Sequence, residues 1–222
     1  MSSAARLLLF VVLPGAASAW LRAEVPSNAL PPGYHLREED ISPDKRFGVI
    51  HADANVIDDA KARNFLVALN PFRILSENQG PAFSEGGGAR AMVVEWNQDT
   101  SAALVFVGGK WGTIGATLFE LKEGRVTRRT DLLGAVTRAL AGKFPSSKVG
   151  HYNDGAPFVI DGTDAWEFSE DGKQVSVDVS VDTAPNLAPG PAWRGKLKGI
   201  WSVPKARWVE QKTAGKIHRN PK

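Results

Sequence analysis

The clearest pattern in the chain is an unbroken alternation: Val175, Val177, Val179 and Val181 interleave with Ser176, Asp178, Ser180 and Asp182. A period of two places the valines on one face of a strand and the polar residues on the other. The segment therefore predicts a strand with one buried and one wet face. Lys196 to Val203 alternates again, with Leu197, Gly199, Trp201 and Val203 on one side. Leu104-Val105-Phe106-Val107 is continuously apolar, as in a strand buried on both faces. Further strands are predicted at Phe47 to Ile50, Ala91 to Trp96, Ser101 to Val107 and Thr113 to Lys122. Lys122-Glu123-Gly124 reads as a three-residue hairpin loop into Arg125-Val126-Thr127.

Residues 58–75 carry mixed signals. Ala60, Lys61, Ala62 and Arg63 favour helix, whereas Phe65-Leu66-Val67-Ala68-Leu69 suits a buried strand that Pro71 ends. The reading adopted is a short strand, followed by a loop over Ser76 to Arg90. A helix is predicted at 131–143. Thr130 or Asp131 caps it, Leu132, Leu133, Val136 and Leu140 share one face, and Pro145 stops it. The fold class expected is mainly β, in one or more antiparallel sheets, with one packed α-helix near 131–143; α+β is the alternative.

The first nineteen residues predict a secretory signal. Arg6 is the positive start, Leu7 to Val12 the apolar stretch, and Ala17-Ser18-Ala19 the small-x-small cleavage site. The apolar run falls well short of the ~20 residues of a membrane-spanning helix. The mature chain is expected to begin at Trp20. Residues 20–40, with Pro26, Pro31, Pro32 and Gly33, read as an irregular lead-in. Residues 41–208 read as a single β-rich domain and 209–222 as a basic, mobile tail. The 222 residues contain no Cys, so disulfides, thiolate metal sites and Cys nucleophiles are excluded. Seven Trp and ten Phe supply large apolar side chains for the core instead.

Three segments share a local motif: Ile41-Ser42-Pro43-Asp44, Trp96-Asn97-Gln98-Asp99, and Phe168-Ser169-Glu170-Asp171-Gly172-Lys173. In each, an apolar residue precedes Ser or Asn, then x-Asp, then a β run. The Ser or Asn and the Asp can bond nearby backbone N–H groups and close a turn. The motif resembles the Ser-Pro-Asp-Gly-Lys turn of WD40-like, TolB-type β-propeller blades. The resemblance implies a binding scaffold and no particular chemistry. The Asp residues are 55 and 72 positions apart here, wider than the ~40–50 of propeller blades. Another antiparallel sheet therefore stands beside the propeller as a reading.

Charge is unevenly spread. From Arg194 onward there are nine Lys or Arg and one acid, a balance of +8, while Trp20 to Trp193 holds 17 basic and 23 acidic residues, a balance of −6. Basic and aromatic residues interleave from Trp193 to Trp208. Trp193, Arg194, Lys196, Lys198, Trp201, Lys205, Arg207 and Trp208 are the candidate binding residues. Such a surface suits a polyanion. In an exported protein the partner expected is an envelope protein or an anionic surface polymer or lipid, with nucleic acid disfavoured. The competing reading makes this a last strand with Trp in the core and Lys in water.

Catalytic templates are sparse. Of His35, His51, His151 and His218, His51 stands out because Asp53 shares its face in an extended segment and Asp58 follows. These three are the candidate acid–base or metal residues. Asp154, Asp161 and Asp164 form an oxygen-rich stretch that could hold a cation, without the EF-hand spacing. Gly108-Gly109-Lys110 lacks P-loop spacing, Ser84 lacks the leading Gly of a nucleophile elbow, and no His-Glu-x-x-His occurs. No cofactor is implied. The function expected is that of an exported, non-enzymatic binding or scaffold protein of the cell envelope or exterior. The alternative is a secreted hydrolase or metal-dependent enzyme built on His51 and Asp53.

Overall fold

The computed structural model describes residues 30–58, 60–78, 82–85, 91–109, 112–144, 159–161, 166–183 and 191–219. Residues 1–29, with the predicted signal, lie outside the described residues. Strands β1 (Tyr34–His35), β2 (Phe47–Asp53), β3 (Phe65–Leu69), β4 (Phe72–Glu77) and β5 (Ser84–Glu85) form a small sheet. A larger sheet runs from β6 (Ala91–Trp96) through β7 (Ala102–Gly108), β8 (Thr113–Lys122), β9 (Arg125–Asp131), β10 (Val159–Asp161), β11 (Trp166–Phe168), β12 (Gln174–Asp182) and β13 (Pro191–Ser202) to β14 (Arg207–Arg219). Its order is β14-β13-β12-β10-β8-β7-β6, with β11 beside β12 and β9 beside β8. Pairing is antiparallel except for β2 with β5. Among the described residues the molecule is mainly β with one α-helix, α1 (Leu132–Ala141).

Two apolar layers meet at β7 and β8. On one side Leu104, Phe106 and Leu118 pack with Leu132, Val136 and Leu140 of α1 and with the four valines of β12. On the other, Val105, Val107 and Phe119 pack on Phe47, Val49 and Leu66 of the small sheet. Alternate residues of β7 point opposite ways, so both sets are buried and the run reads as continuously apolar. Each fully buried aliphatic side chain of this kind contributes about 1.5–3 kcal/mol. Asp131 caps α1 by accepting from the Gly134 N–H at 2.8 Å. Among the described residues no helix is long and apolar enough to cross a membrane.

The three Ser/Asn-x-Asp segments form equivalent turns. In each, the Asp accepts the N–H two residues on (Arg46, Ser101, Lys173) and the Ser or Asn oxygen accepts the N–H five residues on (Phe47, Ala102, Gln174). The fourth residue of each turn has positive φ: Lys45 at 59°, Thr100 at 60° and Gly172 at 65°. The chemistry is local, and it starts β2, β7 and β12.

Several boundaries differ from those expected. β4 extends to Glu77 and β5 interrupts the predicted loop, because the two flank β3 and β2 in the small sheet. β1 and a 3-10 turn at Glu38–Asp40 order part of the lead-in. The hairpin after Lys122 has a two-residue loop, with Glu123 and Gly124 both at positive φ and Lys122 opposite Arg125. The largest correction is at the end of the chain. Residues 207–219 are a 13-residue strand hydrogen-bonded along β13, not a mobile tail beginning at 209. Its pattern is weak in isolation, and the β13 ladder makes it a strand.

Candidate functional site

The basic stretch folds as the β13–β14 hairpin, and strand geometry divides its residues between two faces. Trp193 and Trp201 point inward, 1% and 6% exposed, and Trp208 packs edge-on against Trp201 with ring centroids 5.2 Å apart. Of the predicted aromatic residues, Trp193 and Trp201 therefore lie in the core, and Trp208 is partly buried against it. Room for Trp193 comes from Gly195 and Gly215, a cross-strand pair whose backbones lie under the indole ring. The odd-numbered positions 193, 195, 197, 199 and 201 share the inward face, so Arg194, Lys196 and Lys198 point to water.

On the wet face the charges form rows. β12 supplies Asp178 and Asp182, β13 supplies Arg194, Lys196 and Lys198, and β14 supplies Lys212 and Lys216. Asp178 takes Lys198 at 2.9 Å and Lys196 at 3.0 Å, and Asp182 accepts from Arg194 Nε at 2.7 Å. The Lys198 and Lys196 ammonium groups hold the Asp178 carboxyl below its ordinary range. The outer row has no such acids. Lys212 stands directly opposite Lys198, Lys216 stands directly opposite Arg194, and neither has an ion pair among the described residues. Glu210, two positions before Lys212, is the acid nearest in sequence on that strand. Lys205 and Arg207 are exposed at the hairpin turn. Lys212 and Lys216 lie in the segment that the sequence alone reads as a tail. Their signal was the charge surplus after Arg194, which showed no strand.

A second polar cluster surrounds His51 on β2. Its ring is fully buried, with Nε2 3.1 Å from Glu85 Oε2 on β5 and Nδ1 3.8 Å from Asp40 Oδ2. Nδ1 has no hydrogen-bond partner among the described residues. Asp40, also fully buried, accepts two bonds from Arg37, at 2.7 and 2.9 Å. Arg37 also donates to the Met92 carbonyl and lies over the Phe83 ring. Burial pushes the Asp40 carboxyl above its usual range, against the pull of Arg37. His35, opposite His51 on β1, stacks on it at 6.2 Å and sits 3.3 Å from Asp53 Oδ2.

Of the predicted triad, His51 and Asp53 therefore join one cluster, each with its own partner. Asp53 accepts the Asn55 N–H at 2.8 Å, which holds its carboxyl low, and Asp58 accepts the Ala60 N–H at 2.9 Å in an exposed turn. A sealed imidazole cannot touch a substrate in this conformation. What the geometry provides is a polar tie from the 3-10 turn through β2 to β5. Arg37, Asp40 and Glu85 were not legible as its members, because they meet His51 only through sheet pairing. Asp161 ends β10, exposed and opposite Ser180, while Asp154 and Asp164 lie outside the described residues. Among the described residues no group of three or more His, Cys, Asp or Glu is placed to hold a metal ion.

Comparisons of the chain with protein-family models, with curated proteins and with solved structures find no match.

Proposed function

We propose that this chain is an exported, non-catalytic envelope protein that binds a polyanionic surface through the wet face of β13 and β14. The observation that carries the reading is the outer row of lysines. Like charges directly opposite in an antiparallel pair destabilise it. Lys198 faces Lys212 and Arg194 faces Lys216 nonetheless. Asp178 and Asp182 offset the inner row, whereas Lys212 and Lys216 have no acid across a neighbouring strand. An anionic polymer or lipid headgroup layer supplies the missing counter-charge. The hairpin is long and open on this side, which suits an extended or planar partner better than an enclosed small molecule. The signal-like first nineteen residues support the export part of the reading.

The test is retention of the mature chain, beginning at Trp20, on phosphatidylglycerol-containing vesicles compared with neutral phosphatidylcholine vesicles. Retention on the anionic vesicles is expected at low salt and lost at high salt. Replacing both Lys212 and Lys216 with Gln is expected to weaken it about thirtyfold, at ~1 kcal/mol per cation near the surface. Equal retention on both vesicle types, or no effect of the double replacement, removes the reading. Amino-terminal sequencing of the extracytoplasmic protein checks the export step, with Trp20 as the expected first residue.

A further inference from the structure

The opposite side of the same hairpin carries a separate feature. Where α1 packs against β13, a groove of about 410 Å³ opens between the helix and the start of β14. Ala135 and Ala139 of the helix, with Trp201 and Trp208 of the hairpin, give it an apolar lining, and Arg138 and Arg207 lie along it.

Two details separate it from an ordinary surface dent. The first is the state of its arginines. Arg37, Arg46, Arg63, Arg128 and Arg194 have carboxylate partners, and Arg73 and Arg129 donate to backbone carbonyls. Arg138 and Arg207 have neither among the described residues, nor has Arg125 at the distant β8–β9 hairpin, but only these two line this groove. Both are exposed cations on one groove, and a guanidinium is the side chain that pairs best with an oxyanion. The second detail is the aromatic wall beside them: Trp208 stands edge-on to Trp201, ring centroids 5.2 Å apart, and is partly exposed on the groove.

We propose that this groove binds a small organic anion, a phosphate or carboxylate joined to an apolar ring or chain. Arg138 and Arg207 hold the charged group. Ala135, Ala139 and the partly exposed Trp208 carry the apolar body. An inorganic anion would leave that lining wet, and a neutral ring would leave both guanidiniums unmatched. The site shares no cation with the outer lysine row and stands or falls independently of the polyanion reading.

Phenyl phosphate is a suitable probe, with inorganic phosphate and benzyl alcohol as the two halves of its chemistry. Titration of the mature chain is followed by calorimetry and by tryptophan fluorescence. Phenyl phosphate is expected to bind saturably, about tenfold or more tighter than either half. Arg138→Gln with Arg207→Gln is expected to weaken it about tenfold or more. Lys122→Gln with Arg125→Gln, which removes equal charge at a distant hairpin, is expected to leave binding unchanged. Circular dichroism confirms that each variant is folded. The proposal is overturned if phenyl phosphate does not bind, if inorganic phosphate binds equally well, or if the two pairs of replacements act alike.

Discussion

Trp193 of β13 covers Gly215 of β14, and a Cβ at Gly215 would overlap its indole ring. Gly195, directly opposite Gly215, lies under the same ring. Glycine weakens a strand interior unless something close packs on it. Here Trp193 fills that place, with Phe144 edge-on against it at 5.6 Å. Gly215→Ala is therefore expected to lower stability by about 1–3 kcal/mol through overpacking. Adding Trp193→Phe to that variant should recover part of the loss. Urea unfolding measures both, and an unchanged midpoint for Gly215→Ala would contradict the packing.

The three equivalent turns predict an acid-sensitive contribution to stability. Asp44, Asp99 and Asp171 all titrate below the ordinary carboxylate range. Bonds from Ser101 and Ser169 lead for Asp99 and Asp171. For Asp44, burial pushes upward and is outweighed by bonds from the Arg46 N–H and side chain and from Ser42. A lowered native pKa means the unfolded chain takes up protons first as pH falls. The contribution is thus complete above the unfolded value of about 3.9 and disappears as pH drops through the native one. With all three changed to Asn, the protein should be less stable at neutral pH and show a flatter decline below pH ~4. Denaturant midpoints across pH 2–7 decide this.

Asp40 behaves in the opposite sense. It is fully buried and depends on Arg37 for its charge partner. Removing one member of a buried pair leaves an uncompensated charge and costs about 3–5 kcal/mol. Arg37→Met is expected near the lower end of that range, because Arg37 is one-quarter exposed. Changing Asp40→Leu as well should restore much of the loss. The Asp40 pKa is already raised, so the neutral carboxyl is the form that folding favours. The Arg37→Met penalty should therefore shrink as pH falls through the native pKa. A penalty independent of pH would show that Asp40 is not its source.

β14 is the outer strand of the larger sheet, and Val209 and Ile217 on it are 44% and 39% exposed. An edge of this length, with no further strand beside it among the described residues, invites pairing with a second copy, and lysines oppose that pairing. Antiparallel pairing of two copies centred on Ala214 would set Lys212 against Lys216. Changing both lysines to Thr is expected to produce concentration-dependent self-association at physiological salt. Sedimentation velocity at two protein concentrations detects it, and a variant that stays monomeric would show that the edge is protected by other means.

Much of the architecture follows from patterns within a few residues of one another. The valine alternation of β12, the two-sided apolar run of β7 and the capped α1 are all legible, because burial on a sheet or helix face imposes its period on the sequence. The turns are legible for the same reason, since their donors and acceptors lie within five positions. The parity of Trp193, Leu197 and Trp201 against Arg194, Lys196 and Lys198 also contains the division of β13 into a wet and a buried face.

What lies far apart in sequence was decided only by the tertiary structure. β14 has no strong alternation of its own, and its order comes from a ladder with β13. The meeting of His51 with Glu85, 34 positions away, and with Asp40 comes from strand pairing and burial. The chain thus dictates where strands start and which faces turn inward, since those are short-range effects. Which charges face one another, and which stay unmatched, depends on long-range register.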